Sequence, residues 1–177
     1  GLMLLTNDGD LAQQLAHPRY GVRKIYRVTV AGKVDGETMR NMRKGIYIAE
    51  GFVRVEGAKI LKSRSRATEL EITLREGKNR EIRRILARLG HKVQVLRRIA
   101  IGPLRLGDVP PGAYRKLTKE EVRRLHLAIE HSREEVERDG DSERQPRGGV
   151  KKRSSGKPFA GKRSAKKQTA KKQRTSG

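Results

Sequence analysis

A short predicted helix between two glycine-containing turns carries the side chains of this chain best suited to chemistry. Apolar residues recur at helical spacing over residues 82–89, which predicts one stripe facing a core. Arg83 lies on the border of that stripe, where a guanidinium can reach a partly buried anion, while Arg80, Arg84 and Arg88 fall on the opposite side. Taken alone, the pattern favours a surface helix with ordinary solvated charges, and the rest of the chain reverses that preference.

A second candidate is a tyrosine on an alternating strand. Residues 24–30 alternate so that Tyr26 shares one face with Val28 and Val30. In isolation this pattern is typical of a core tyrosine whose hydroxyl group is satisfied.

The hydrophobic pattern predicts the elements that must position these residues. Strands and helices alternate without βαβ regularity, so we expect an α+β fold with a mixed, largely antiparallel sheet flanked by helices. The predicted elements are a buried strand at Leu2–Leu5, a helix at Leu11–Ala16 capped by Asp8 or Asp10, a strand at residues 24–30, a helix at Asp35–Lys44 capped by Asp35, short antiparallel strands over Ile46–Lys62, a strand at Thr68–Leu74, a strand from Val93 to Ile101, and a helix from a Thr118–Glu121 capping box to about Glu137.

Composition indicates the partner. The 177 residues include 43 Lys and Arg against 20 Asp and Glu, a net charge of +23. Residues 1–138 contribute +13 and residues 139–177 contribute +10, so both parts are basic. A polyanion is the natural partner, and nucleic acid is favoured over a membrane because no basic amphipathic helix carries bulky apolar anchors. Only six residues are aromatic, which argues against stacking of many bases.

The same composition excludes several classes of protein. There is no cysteine, so neither a disulfide framework nor a thiolate metal site can form. The four histidines show no convincing ligand spacing, so the residues give no indication of a metal site. No apolar run approaches membrane-spanning length and nothing resembles a signal peptide, so we expect a soluble, cytoplasmic protein. We also expect it to act as a monomer.

The chain divides by composition into residues 1–138, a folded domain, and residues 139–177, a Lys/Arg-rich tail. The tail cannot bury enough apolar surface to offset its ordering entropy, so we predict that it is disordered. It could add sequence-independent affinity for phosphates or act only as a solubilising tail. The chain begins with Gly1 rather than Met and is already inside an apolar run, so we expect the natural start to lie upstream.

Several segments fall in an order that is typical of one enzyme family. They are Gly1–Gly9 (GLMLLTNDG), His17-Pro18, Lys24-x-Tyr26-x-Val28, Glu76–Arg84 (EGKNREIRR), Leu96-x-Arg98-x-x-Ile101-Gly-Pro-Leu104, and Gly107, Gly112 and Leu117-Thr118. Over roughly residues 1–127 the chain resembles the ribosomal-RNA pseudouridine synthases that act on uridines of the small and large subunits.

That resemblance implies a pseudouridine synthase catalytic domain that isomerises uridine to pseudouridine in ribosomal RNA without a cofactor or metal. The favoured substrate is 23S ribosomal RNA. The family's nucleophile is an aspartate in a Gly-Arg-Leu-Asp motif a few residues before the glycine that matches Gly1. It is therefore absent from this chain, which we expect to be inactive by itself. Asp8 and Asp10 match the family's Asn-Asp-Gly turn and are explained by capping.

The resemblance also assigns roles to residues. Tyr26 matches the tyrosine that stacks on the target base and is a candidate general base, and Arg83 matches the arginine that pairs with the catalytic carboxylate. Leu96 matches the apolar residue on the other side of the base. Near the helix start, where free N–H groups and cations suit phosphate, RNA contacts are expected from Lys78, Asn79, Arg80 and Arg84.

Two other classes remain open at this point. A non-catalytic RNA-binding or ribosome-assembly protein explains the charge but not the combination of Tyr26, Arg83 and Leu96. A DNA-binding or chromatin-like protein explains the tail but not the strand-rich core.

Overall fold

A computed structural model describes residues 1–49, 51–75, 77–78 and 80–144, with residues 139–144 described by their backbone alone. Within these ranges the α+β prediction is confirmed. The helices are α1 (Gly9–Ala16), α2 (Gly36–Lys44), α3 (Glu81–Arg88) and α4 (Lys119–Arg144), and the strands are β1 (Lys24–Ala31), β2 (Ile46–Ile48), β3 (Gly51–Val53), β4 (Gly57–Ser63), β5 (Ala67–Leu74), β6 (Val93–Ile101) and β7 (Leu104–Arg105).

The main sheet has the strand order β4-β5-β1-β6-β7, and β2 and β3 form a separate two-stranded ribbon. All pairings between these strands are antiparallel. The largely antiparallel sheet that was expected therefore contains no parallel pair among the described strands. β4 and β5, and likewise β6 and β7, are consecutive in the chain and pair with each other, as short connections allow. β1 lies between β5 and β6, so the connection through α3 carries the chain from one side of β1 to the other.

The sheet is covered on one face. On β1, Val28 and Val30 are fully buried and Tyr26 is half-buried, as the alternation predicted. These side chains belong to a central cluster that unites the sheet with α2, the ribbon and α3. The buried members of the central cluster are Val28, Val30, Val34, Met39, Met42, Val53, Val55, Ala58, Leu70, Ile72, Leu74, Ile82, Ile85 and Leu86.

A second cluster joins α1 and α4 to the end of the sheet. Leu11 and Leu15 of α1 pack with Leu125 and Ile129 of α4. The predicted caps are confirmed. Asp8 accepts a hydrogen bond from the Leu11 N–H at 2.9 Å, Asp35 accepts one from the Thr38 N–H at 2.7 Å, and Thr118 and Glu121 exchange the two hydrogen bonds of a capping box.

An ionic network of two arginines and two glutamates also holds α4 against the sheet. Arg23 and Arg75 each donate to Glu56 and to Glu135, with donor–acceptor distances of 2.8–3.1 Å. Burial raises the pKa of Glu56, but the hydrogen bonds from Arg23 and Arg75 outweigh that effect and leave the pKa below its ordinary value. The Glu56 carboxylate is therefore ionised near neutral pH, and the network bridges elements that are far apart in sequence.

Two predictions about elements are corrected. Leu2–Leu5 is not a buried strand, because Met3 is 72% exposed and Leu5 is 83% exposed. The backbone pairs with β6 only at Leu2, whose N–H donates to the Arg98 carbonyl oxygen at 2.8 Å. Apolar content predicted burial, but the helices pack against only one side of this segment, at Leu2 and Leu4.

Helix α4 continues to Arg144 rather than ending near Glu137, and so it crosses the predicted boundary at residue 138. The exposed Arg133–Glu137 and Arg138–Glu134 pairs, four residues apart, add small stabilising contacts within residues 133–138. The rest of the predicted disordered tail, residues 145–177, lies outside the described residues. No helix within the described ranges is long and apolar enough to cross a membrane.

Candidate functional site

The pairing of β1 with β6 brings two of the predicted site residues together. Tyr26 lies directly opposite Arg98, and Val28 lies directly opposite Leu96. Tyr26 and Leu96 are therefore diagonal neighbours on one face of the sheet, a separation that aromatic side chains can span. Both are half-buried and both pack against the central cluster. The exposed parts of the two side chains form an apolar surface next to the Tyr26 ring.

Arg83 lies at the edge of this face, on α3. It is half-buried, as its place beside the apolar stripe predicted, and its Nη1 donates to the Val93 carbonyl oxygen at 3.3 Å. Val93 begins the same strand that carries Leu96. Within the described ranges the hydrogen-bond partner of Arg83 is thus a backbone carbonyl on β6, and its pairing with a carboxylate remains a prediction.

The loop before α3 presents the predicted RNA-binding cations. Lys78 and Arg80 are exposed and Arg84 is half-buried, whereas Asn79 lies outside the described residues. Arg80 has a left-handed backbone, with φ of 54°, a conformation that non-glycine residues adopt rarely and that recurs at binding sites. The loop therefore turns sharply into α3 with its cations facing outwards.

Glu81 explains how a carboxylate is tolerated among these cations. It is 4% exposed, and its Oε2 accepts a hydrogen bond from the Lys78 N–H at 3.1 Å. This contact satisfies an N–H group next to the first turn of α3, and the negative charge suits a helix N-terminus. Glu81 thus has a structural role, and its charge is not presented to the surface.

Lys24 belongs to the same face and was not singled out from the sequence. It is 5% exposed, and its Nζ has no hydrogen-bond partner among the described residues. Burial, together with the nearby positive charge of Arg98, lowers the pKa of Lys24 below its ordinary value. The signal in the sequence is that Lys24 has the same alternation phase as Tyr26, Val28 and Val30, which places it inwards.

The site therefore combines an apolar stacking position with a cationic border. Tyr26 and Leu96 can hold a planar base, and the exposed cations before α3 can hold a backbone phosphate. No group of three or more His, Asp or Glu side chains in the described part of the chain could hold a metal ion.

Comparisons with known proteins define the class of this fold and site. The family model of RNA pseudouridylate synthases matches residues 1–88. A solved structure, a pseudouridylate synthase crystal structure, superposes with a TM-score of 0.62 at 29% identity and covers 68% of this chain and 52% of that chain.

Curated relatives of similar sequence are also pseudouridine synthases by name. An RNA pseudouridine synthase of Aquifex aeolicus is 43% identical over 129 residues, which are 73% of this chain and 52% of that protein. The ribosomal large subunit pseudouridine synthase B of Bacillus subtilis is 36% identical over 135 residues, 75% of this chain and 55% of that protein. The chain belongs to the RNA pseudouridine synthase family. It spans about half the length of the curated relatives that it matches.

Proposed function

We propose that this chain, together with any segment that precedes Gly1, isomerises a uridine of ribosomal RNA to pseudouridine. The observation that carries the proposal is the placement of Tyr26 and Leu96 side by side on the helix-covered face of the sheet. The family supports the reaction, and the name of the Bacillus subtilis relative favours the large ribosomal subunit as the source of the substrate. We further propose that it acts as a monomer in the cytoplasm, where ribosomal RNA is available.

The proposed reaction needs the target nucleotide outside its helix. A stacked uridine cannot turn over, so it must be extruded, at a cost of a few kcal/mol. Tyr26 and Leu96 would hold the extruded uracil between them, while Lys78, Asn79, Arg80 and Arg84 would hold the flanking backbone. Binding of the base thus offsets the lost stacking.

The chemistry then rearranges one nucleotide. The bond from C1′ to N1 breaks, the uracil turns, and a bond from C1′ to C5 forms. The proton lost from C5 is balanced by one gained at N1, so no oxidant or cofactor is consumed. Tyr26 would accept the C5 proton, and Arg83 would keep the catalytic carboxylate ionised and oriented.

A Tyr26→Phe substitution tests this assignment in the full-length protein, with any segment that precedes Gly1 included. We expect pseudouridine formation to fall by about 10²–10⁴-fold, because general base catalysis contributes on that order, while RNA affinity is retained. Nucleoside analysis by mass spectrometry measures the product, and Tyr114→Phe, at an 88% exposed tyrosine, is the matched control. Unchanged product from Tyr26→Phe would overturn the assignment.

The 177-residue chain alone gives a second test. We propose that it binds RNA without converting uridine, because the nucleophilic aspartate implied by the family is not among its residues. Pseudouridine formed by this chain would show that another carboxylate acts. A non-catalytic RNA-binding or ribosome-assembly role is not favoured, because the named relatives are pseudouridine synthases.

A further inference from the structure

The ribbon formed by β2 and β3 carries two exposed aromatic rings in contact. Tyr47 and Phe52 face each other directly in the ribbon register. Their ring centroids are 5.2 Å apart at an interplanar angle of 62°, an edge-to-face arrangement. Tyr47 is 75% exposed and Phe52 is 48% exposed. Two of the chain's six aromatic residues are thus placed together at the surface.

Core packing does not account for this pair. The opposite face of the ribbon supplies Ile46, Ile48 and Val53 to the central cluster, so the ribbon is anchored without its aromatic rings. The far end of the Phe52 ring (Cζ, Cε1 and Cε2) lies against Gly45, where a Cβ atom would collide with it. The Phe52 ring is therefore held at its tip against the backbone, while about half of Phe52 and most of Tyr47 remain exposed.

Two exposed cations lie next to the ribbon in the sequence. Lys44 precedes the ribbon and Arg54 follows it; both are exposed, and neither has an ion pair with a described residue. Arg43, by contrast, is committed to the protein, because its Nη2 donates to the Ala58 carbonyl oxygen. Exposed rings between free cations are the combination that binds unpaired nucleotides, by stacking on the bases and attraction to the phosphates.

We infer that the β2–β3 ribbon is a stacking platform for one or two unpaired RNA nucleotides next to the target site. The inference rests on the proposed function for the identity of the polyanion, but it assigns a surface separate from Tyr26 and Leu96. α3, which carries Arg83, packs against β2 of the ribbon, so the platform and the proposed target site lie on neighbouring elements. The net charge of +23 favours RNA over a second copy of the chain as the occupant.

Binding of a labelled oligouridylate, about ten nucleotides long, to the 177-residue chain tests the platform. We expect Tyr47→Ser to weaken this binding by about tenfold, the loss of one base stack. The slope of affinity against salt should not change, because no phosphate contact is removed. Lys44→Gln should instead reduce that slope. Tyr114→Ser is the matched control, and melting curves establish that each variant folds.

A fluorescent variant locates the contact independently. The chain contains no tryptophan, so Phe52→Trp reports only from the ribbon, and oligouridylate should quench its emission with the affinity seen by anisotropy. Absence of quenching, equal binding by Tyr47→Ser, or a concentration-dependent dimer that Tyr47→Ser dissociates would each overturn the platform. None of these outcomes affects the catalytic proposal, which the Tyr26→Phe assay decides separately.

Discussion

At the scale of single residues, Lys24 buries an ammonium group that has no hydrogen-bond partner among the described residues. A buried unpaired charge is destabilising, and an apolar side chain of similar length removes the penalty. We expect Lys24→Met to raise the free energy of unfolding by about 1–3 kcal/mol, measured by urea denaturation. Lys33→Met, at an exposed lysine, should change nothing, and an equal effect of the two would contradict this account.

The same variant predicts a pH dependence. The pKa of Lys24 in the folded state is below its ordinary value of 10.5. Between the folded pKa and 10.5, the unfolded chain therefore binds more protons than the folded chain. Stability of the parent chain therefore rises with pH across that window. The advantage of Lys24→Met should be largest below the pKa of Lys24 in the folded state and should shrink as the pH rises towards 10.5.

Arg80 retains a left-handed backbone at the start of α3. Glycine there removes a strain of about 1–2 kcal/mol and adds about 0.5–1 kcal/mol of unfolded-state freedom, so Arg80→Gly should be slightly stabilising. RNA affinity should fall in the same variant, because a proposed phosphate contact is lost. Arg80→Ala keeps the strain and loses the cation, so it should weaken RNA binding without raising the melting temperature. If Arg80→Gly also left the melting temperature unchanged, the strain account would be wrong.

At the scale of elements, local patterns predicted most of the fold. The alternation of β1, the stripe of α3 and the three capping signals needed only neighbouring residues. The pairing of β1 with β6 did not follow from them, because it depends on two register shifts, between Ile25 and Tyr26 and between Thr29 and Val30. That non-local register is what places Leu96 beside Tyr26. The residues of the site were identified by resemblance, and their proximity required the sheet.

The exposed Leu2–Leu5 segment and the inward-facing Lys24 show the converse limit. Hydrophobicity predicts burial only when another element packs on the same side of the segment. Conversely, a lysine on the core-facing side of a strand is buried by its neighbours, although lysine usually prefers solvent. Neither condition can be assessed before the helices are placed.

The network of Arg23, Arg75, Glu56 and Glu135 makes the attachment of α4 dependent on pH. The pKa of Glu56 is lower in the folded state than its ordinary value of 4.5. Its stabilising effect is therefore complete above pH 4.5 and is lost as the pH falls through the folded pKa. We expect Glu56→Gln to lower stability by about 1 kcal/mol near neutral pH and to have a smaller effect in acid.

Glu120→Gln is the matched control for that network. Glu120 pairs with Arg123 and Arg124 within α4 itself and is more exposed than Glu56. Solvent screens such pairs, so this change should barely affect urea denaturation. Equal losses from the two substitutions would show that the network adds nothing beyond ordinary surface pairs.

At the scale of the whole molecule, charge is distributed between the described domain and the residues that follow it. Since α4 ends at Arg144, the sequence beyond it, residues 145–177, contains 12 Lys and Arg and no Asp or Glu. We propose that these residues add affinity for ribosomal RNA without choosing the uridine. Their contribution would then be electrostatic, independent of sequence, and sensitive to salt.

Deletion of residues 145–177 separates affinity from site selection. The slope of log affinity against log salt should fall by about 0.7 for each Lys or Arg that contacts a phosphate in single-stranded RNA. In the full-length protein, the position of the modified uridine should stay the same, because Tyr26, Arg83 and Leu96 are untouched. An unchanged salt slope would exclude a role in RNA binding for these residues, and a shift of the modified position would show that they select the site.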